Sequence, residues 1–168
     1  VTATYRETNL MDTPLAISVV DEDMIEQLGA TDISGVFRSI PGFNVAGSDT
    51  GTNRFVVRGI SSQTGAGSAA QTHASVATYI DDTPMTSATG PARQLAGSLF
   101  DIKRVEVLKG PQGTLFGEGS QGGTIRYIYN EADPSALDFK VKAGFNTQDE
   151  SDDTGFRTDG MINLPDRK

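Results

Sequence analysis

The glycines of GPQGTLFGEGSQGG (110–123) could turn successive backbone N–H groups toward an anion, which is the chemistry of a phosphate loop. The segment lacks the lysine and Ser/Thr of GxxxxGK[ST], and no GxGxxG stands between a strand and a helix. Turns and close main-chain packing account better for Gly110, Gly113, Gly117, Gly119, Gly122 and Gly123, with Pro111 ending the strand before them. Asp81-Asp82 could bind a metal or act as acid and base. Neighbours on a strand face opposite ways, however, and no His or carboxylate pair has ligand spacing. Asp82 is therefore read as capping the turn before Thr83-Pro84. His73, the single histidine, stands among alanine and serine with no serine partner in its local context. It is a solvated loop residue or a ligand contact, and no catalytic triad, cofactor or metal is expected. The acidic loop 148–155 reads as a solvated turn, with weak cation binding as the poorer option.

The charges next to apolar strand runs carry more information: Arg58, Arg104, Glu106, Lys109 and Arg126. An unpaired charge there is costly, so each should reach an opposite charge or water. Such groups could hold the domain inside a larger shell through ion pairs, or be ordinary charge on a sheet surface.

The elements that carry these groups follow from periodicity. Residues 1–13 show no period and read as a flexible arm. LAISVV (15–20) is a β-branched strand, and Asp21 caps a helix ending at Gly29. Thr31 or Asp32 caps a second helix with Ile33, Val36, Phe37 and Ile40 on one face, stopped by Pro41-Gly42. Phe43 and Val45 begin a short strand, 47–53 is a loop, and RFVVRGI (54–60) is a β run with Gly59 as a turn position. The stretch 61–75 is an irregular loop too long to be a mere connector, 76–85 is a strand into a turn, and 87–97 is irregular with one helical turn. A strand around 102–108 turns at Lys109-Gly110-Pro111 and returns at 124–128, and YNEADPSA (129–136) is a linker. From Leu137 onward two long alternating strands, 139–147 and 156–164, suit a hairpin of a membrane barrel; a hairpin of a soluble sheet is the alternative.

Composition narrows the class. A chain of 168 residues with net charge -8 and pI near 4.5 can bury one core and lacks the basic stripe that nucleic acid requires. There is no cysteine, hence no disulfide framework. No apolar run is long enough for a transmembrane helix and no signal peptide is visible, so a trimmed or mature product is expected.

The ordered series VTAT, Pro14 with LAISVV, IPGF (40–43), VVRGI (56–60), ATYIDDTP (77–84) and DIKRVEVLKGPQGTLFGEGSQGGTIRYI (101–128) resembles the plug domain of TonB-dependent outer-membrane receptors over residues 1–130. The resemblance implies an α/β (α+β) plug with a small mixed four-stranded sheet and short helices, followed by the first two strands of a 22-stranded transmembrane β-barrel. It divides the chain into a periplasmic arm near the TonB box (1–13), the plug (14–130) and a linker with the first barrel hairpin (131–168). It implies outer-membrane localisation and transport without bond chemistry. The partners are the TonB C-terminal domain through the arm, the barrel, outer-membrane lipid, and a siderophore, haem, cobalamin or glycan ligand. Val1-Thr2-Ala3 would be the tail of the TonB box or lie just after it. Arg58 matches the arginine that pairs with barrel glutamates, and Lys109 stands where arginine is usual, with Arg104 and Arg126 as further plug-to-barrel candidates. Asp82 occupies a position where glycine is common, which puts a left-handed backbone there in question. Gln63, Gln71 and His73 in 61–75 are the ligand-facing candidates, with 47–53 and 86–96 as further loops. The small polar side chains of 61–75 favour a neutral or sugar-like ligand over a strongly anionic one. A soluble binding or signalling module reusing a plug-like domain is the alternative.

Overall fold

A computed structural model describes residues 2, 9, 15–30, 33–48, 52–61, 75–85, 99–117, 119–147 and 154–165. The chain forms two compact units, Val1–Tyr129 and Asn130–Lys168.

In the first unit, β1 (Ile17–Asp21), β5 (Val76–Ile80), β6 (Thr83–Pro84), β7 (Ile102–Lys109) and β8 (Gly123–Tyr129) make a sheet ordered β1-β7-β8-β5-β6. The expected four-stranded sheet thus gains a fifth member, because two residues beyond the Asp81-Asp82 turn fold back to pair Ile80 with Thr83. All its pairings are antiparallel except β5 on β8, where Tyr79 lies in register with Arg126. The sheet is therefore mixed.

A second sheet consists of β2 (Phe43–Ser48), β3 (Thr52–Val57) and β4 (Ile60–Ser61), joined in the order β2-β3-β4. The β run expected over 54–60 is broken at Arg58-Gly59, a two-residue hairpin turn with φ +50 and +83. Left-handed backbone at both turn positions matches the twist of the flanking strands.

The helices obey their local signals. Asp21 caps α1 (Glu22–Gln27), its Oδ1 accepting the Met24 N–H at 2.9 Å, with Glu22 and Asp23 at the positive end. In α2 (Ile33–Phe37) Ile33, Val36 and Phe37 are buried, as their spacing predicts, and Ile40 follows them into the core. The caps expected at Thr31 or Asp32 lie outside the described residues. Phe37 packs on Phe43 and Phe55 with ring centroids 4.1 and 5.2 Å apart, tying α2 to the second sheet. Val20, Val76, Val105, Val107, Ile125 and Tyr127 from the first sheet complete that core.

The alternate residues of the same strands face the other way. Ala77, Tyr79 and Leu108 form a smaller cluster with Phe116, against which Leu15 and Ile17 pack. Phe116 comes from a short helix, α3 (Gly113–Phe116), inside the stretch read as turns. The Tyr79 hydroxyl donates to the Phe116 carbonyl at 2.7 Å and its ring meets Phe116 edge-on, anchoring α3 to β5.

The second unit is a hairpin of β9 (Asp138–Thr147) and β10 (Thr154–Asn163), antiparallel, with Phe145 opposite Phe156 and Phe139 opposite Ile162. Phe139, Val141, Phe145, Phe156 and Ile162 share one phase and are exposed, Phe145 by 77%. Asn163 ties the linker to the strand, its Nδ2 donating to the carbonyls of Asp133 and Ala136 at 2.7 Å each. Among the described residues no helix is long and apolar enough to cross a membrane, which says nothing about crossing by strands.

Candidate functional site

Two charged groupings stand out, and they are built differently. The first joins the two sheets of the N-terminal unit. Arg58 takes a left-handed backbone, which costs a non-glycine residue about 1 kcal/mol and is held here by its N–H donating to the Gly42 carbonyl at 2.8 Å. Its side chain runs past Gly42 toward Gly110, since a Cβ built at either glycine would lie 3.9 Å from it. Lys109, next to Gly110, ends β7, and its N–H donates to the Ala16 carbonyl at 2.9 Å. Burial first, and the neighbouring Arg58 second, hold the Lys109 amine below the ordinary lysine value. Neither cation reaches a carboxylate among the described residues. Two like charges brought together at the edge of a core make a seat for an anion, and a carboxylate pair satisfies both.

The second grouping lies on the first sheet. Glu106 on β7 sits opposite Arg126 on β8, and Arg126 lies in register with Tyr79 on β5. Arg126 Nη1 reaches Glu106 Oε2 at 3.1 Å and Nη2 reaches Asp82 Oδ1 at 2.9 Å, while Arg104 Nε reaches Glu106 Oε1 at 2.8 Å. Glu106 is 0% exposed and Arg126 3%. Arg126 also lies 5.7 Å from the Phe116 ring centroid. Arg104 and Arg126 thus have carboxylate partners within their own unit, and Thr2 joins the same group through Glu106.

Asp82 serves Arg126 rather than the turn. The left-handed residue of that turn is Asp81, at φ +50, whose Oδ1 accepts the Tyr129 N–H at 3.1 Å and whose own N–H donates to Tyr127 at 2.7 Å. The two carboxylates therefore part, as neighbours at a strand end should. Among the described residues no group of three or more His, Cys, Asp or Glu is placed to hold a metal ion.

The glycine stretch has no phosphate-loop geometry. GEGSQG (117–122) carries the spacing of a dinucleotide fingerprint but runs from α3 into β8, the reverse of the strand-to-helix order that aims a helix N-terminus at a phosphate. Its glycines make room. A Cβ at Gly123 would sit 2.5 Å from the Leu108 carbonyl oxygen, and one at Gly122 would sit 3.2 Å from the Ser75 carbonyl oxygen and 3.0 Å from Ile60. Gly113 differs, opening α3 with nothing within 4 Å. Gln63, Gln71 and His73 lie outside the described residues, as do 49–51 and 86–98.

Sequence reasoning missed α3, the docking of Thr2 and the Asp82–Arg126 pair. The spacing of Gly113 and Gly117 around a Thr-Leu-Phe core was the one local signal for α3; the other two depend on contacts remote in sequence.

Comparison with known proteins agrees with this architecture. The family model "TonB-dependent Receptor Plug Domain" matches residues 9–124. A hemin receptor of Yersinia enterocolitica is 32% identical over 131 residues, 76% of this chain and 17% of its own length. The ferripyoverdine receptor of Pseudomonas aeruginosa is 34% identical over 130 residues, 76% of this chain and 14% of its own. The solved FpvAI–pyocin S2 complex superposes with a TM-score of 0.71 at 26% identity, covering 98% of this chain and 20% of that one. The chain therefore spans less than a fifth of these two curated receptors. With the family model matched across most of the N-terminal unit and the fold in accord, the chain belongs to the TonB-dependent receptor plug domain family.

Proposed function

We propose that this chain is the plug and first barrel hairpin of an active transporter in the outer membrane, with the plug blocking the lumen of a 22-stranded barrel. Residues 1–13 are the periplasmic arm engaged by the C-terminal domain of TonB, 14–130 the plug, and 131–168 the linker and opening strands. The reading rests on one observation above all. The N-terminal unit is followed directly by a hairpin whose Phe139, Val141, Phe145, Phe156 and Ile162 lie exposed in one phase, a stripe that lipid would cover. The opposite phase, with Lys140, Lys142, Arg157 and Asp159, suits a polar lumen.

Transport is then mechanical: the plug obstructs the pore at rest and rearranges when the arm is pulled. Arg58 and Lys109 take the role of plug-to-barrel contacts, because their mutual repulsion is relieved when barrel carboxylates dock on them. Arg104 and Arg126, engaged within the plug, are the weaker candidates for that role. Loop 61–75, with Gln63, Gln71 and His73, is the ligand-facing candidate. The names of the relatives point to an iron carrier, a siderophore or haem, ahead of cobalamin or a glycan.

The test is fractionation of the full-length protein followed by mass spectrometry of small molecules carried through native purification. Recovery in the outer membrane with an iron chelate supports the reading, a cobalamin or glycan changes the ligand class, and recovery only in the soluble fraction overturns it. Replacing both Arg58 and Lys109 by methionine should lower uptake while leaving the receptor in the membrane. Unchanged uptake would remove these residues from the plug-to-barrel contact.

A further inference from the structure

We infer that Arg104, Glu106 and Arg126 form a latch that holds the N-terminal arm on the sheet by the main chain of Thr2, so that freeing the arm means breaking these bonds. This rests on the proposed reading of residues 1–13 as the arm that a partner pulls.

The geometry is specific. The Thr2 N–H donates to Glu106 Oε1 at 3.0 Å, and the Thr2 carbonyl accepts from Arg126 Nη1 at 2.8 Å. The Thr2 hydroxyl oxygen accepts from Arg104 Nη2 at 3.0 Å and from Arg126 Nη1 at 3.2 Å. Both main-chain groups of one residue are thus taken by charged side chains more than a hundred positions away. Those side chains are in turn fixed to one another and to Asp82 by the ion pairs of the sheet. They have little freedom to follow the arm if it leaves.

Two physical points make this more than a chance contact. Glu106 is fully buried, and a carboxylate survives there only with its acceptor sites filled. The arm supplies one of those donors, so its departure exposes Glu106 to water as well as breaking bonds. Charge-assisted hydrogen bonds of this kind are about twice as strong as neutral ones, and burial keeps solvent from competing. The position of the seat matters too. β7 and β8 occupy the middle of the order β1-β7-β8-β5-β6, where each strand is paired on both sides. A pull on the arm is therefore borne by the best-supported part of the sheet, and a few side-chain bonds give way before a strand ladder does. Because recognition is mainly through the main chain, the Thr2 hydroxyl is the one feature of its side chain that the seat reads.

The test uses the full-length receptor in outer-membrane vesicles, with a cysteine introduced at Ala3 as a probe and the rate of its reaction with a charged maleimide as the readout. Thr2→Val removes the hydroxyl acceptor at constant shape, and Arg104→Gln removes the donor from a side chain that is partly exposed. Each should raise the labelling rate at least about tenfold, the equilibrium factor for the one hydrogen bond to a charged group that both variants lose. The double variant should label more slowly than the product of the two single effects predicts, because the Arg104–Thr2 bond is lost in both while the Arg126–Thr2 bond and the Arg104–Glu106 pair are each lost in one. Thr2→Ser should label like the parent. Unchanged rates in both single variants, or effects that multiply in the double, would overturn the latch. Uptake measured on the same vesicles separates this from the transport reading. Absence of uptake by the parent defeats transport, while the labelling rates still decide whether the arm is latched.

Discussion

Gly123→Ala and Gly113→Ala make the same chemical change ten positions apart, and the structure predicts opposite signs. At Gly123 the added methyl would meet the Leu108 carbonyl oxygen at 2.5 Å and Val57 Cγ1 at 3.5 Å. Leu108 is fully buried in β7, so its carbonyl cannot swing aside; the strands must separate where Lys109 pairs with Gly123. Overpacking of this kind costs about 1–3 kcal/mol, and loosening one adjoining backbone bond adds about 1 kcal/mol, giving about 3 kcal/mol of destabilisation. The bond from Gly110 N–H to the Gly122 carbonyl, at 3.1 Å, is the one exposed to that loss. At Gly113 the methyl meets nothing within 4 Å and enters the first position of α3. There, reduced freedom of the unfolded chain stabilises by about 0.4–1 kcal/mol.

The assay is urea unfolding in mild detergent followed by tyrosine fluorescence, since the chain has no tryptophan and Tyr79 and Tyr127 are buried. With a slope of about 1–3 kcal/mol per molar urea, Gly123→Ala lowers the midpoint by about 1–3 M. Gly113→Ala raises it by a few tenths of a molar unit by the same conversion. A Gly123→Ala midpoint equal to that of the parent, or two shifts of equal sign and size, would refute the packing argument.

Other expectations follow from single contacts. Asp21→Ala removes the acceptor of the Met24 N–H and should cost about 1 kcal/mol, largely restored by Asp21→Ser, as read from the same urea midpoint. Tyr79→Phe deletes the bond to the Phe116 carbonyl and should cost about 1 kcal/mol, with proteolysis of the 113–117 segment accelerated. For Lys109 the sign of the pH dependence is set by its lowered proton affinity in the fold. Between its folded value and 10.5 the unfolded chain holds more protons, so this residue adds stability as pH rises through that window and withholds it below. Lys109→Met should abolish that alkaline gain, measured as the difference between variant and parent midpoints from neutral pH to 10.5. In the hairpin, Val141→Arg should lower the yield of folded receptor in the outer membrane, since Val141 is exposed near the middle of β9 and a lipid-facing cation at such a depth costs about 2–4 kcal/mol. The substitution Lys142→Gln on the opposite face should not, with heat-modifiable migration on gels as the readout.

Much of the fold was legible because its signals are local. The Ile33, Val36, Phe37, Ile40 spacing, the Asp21 cap and the alternation of 139–147 each involve residues within a turn or a strand of one another, and each element formed within its pattern, α2 ending at Phe37 with Ile40 in the turn after it. The candidate site was legible only as a set of residue types. Arg58 and Lys109 meet because one sheet packs against the other, and Asp82 meets Arg126 because β5 runs parallel to β8 with a turn at its end. Neither relation leaves a trace in spacing along the chain.

The deeper gap concerns what alternation can say. β7 and β9 both read as strands with one apolar and one charged face, and the pattern alone leaves each charged face to water or to an opposite charge. The structure treats the two strands differently. On β7 the charged face is closed, with Glu106 wholly buried beneath Arg126 and the Thr2 main chain. On β9 both faces lie open, the apolar one included, with Phe139 74% exposed. Period two establishes that the two sides of a strand differ, whereas what covers each side is decided by chain far away or by another phase. A buried charge on one strand and a bare apolar stripe on another are therefore the informative departures. On the proposed reading the first is where the arm is held and the second is where lipid lies, and both fall on the faces that sequence pattern assigns least reliably.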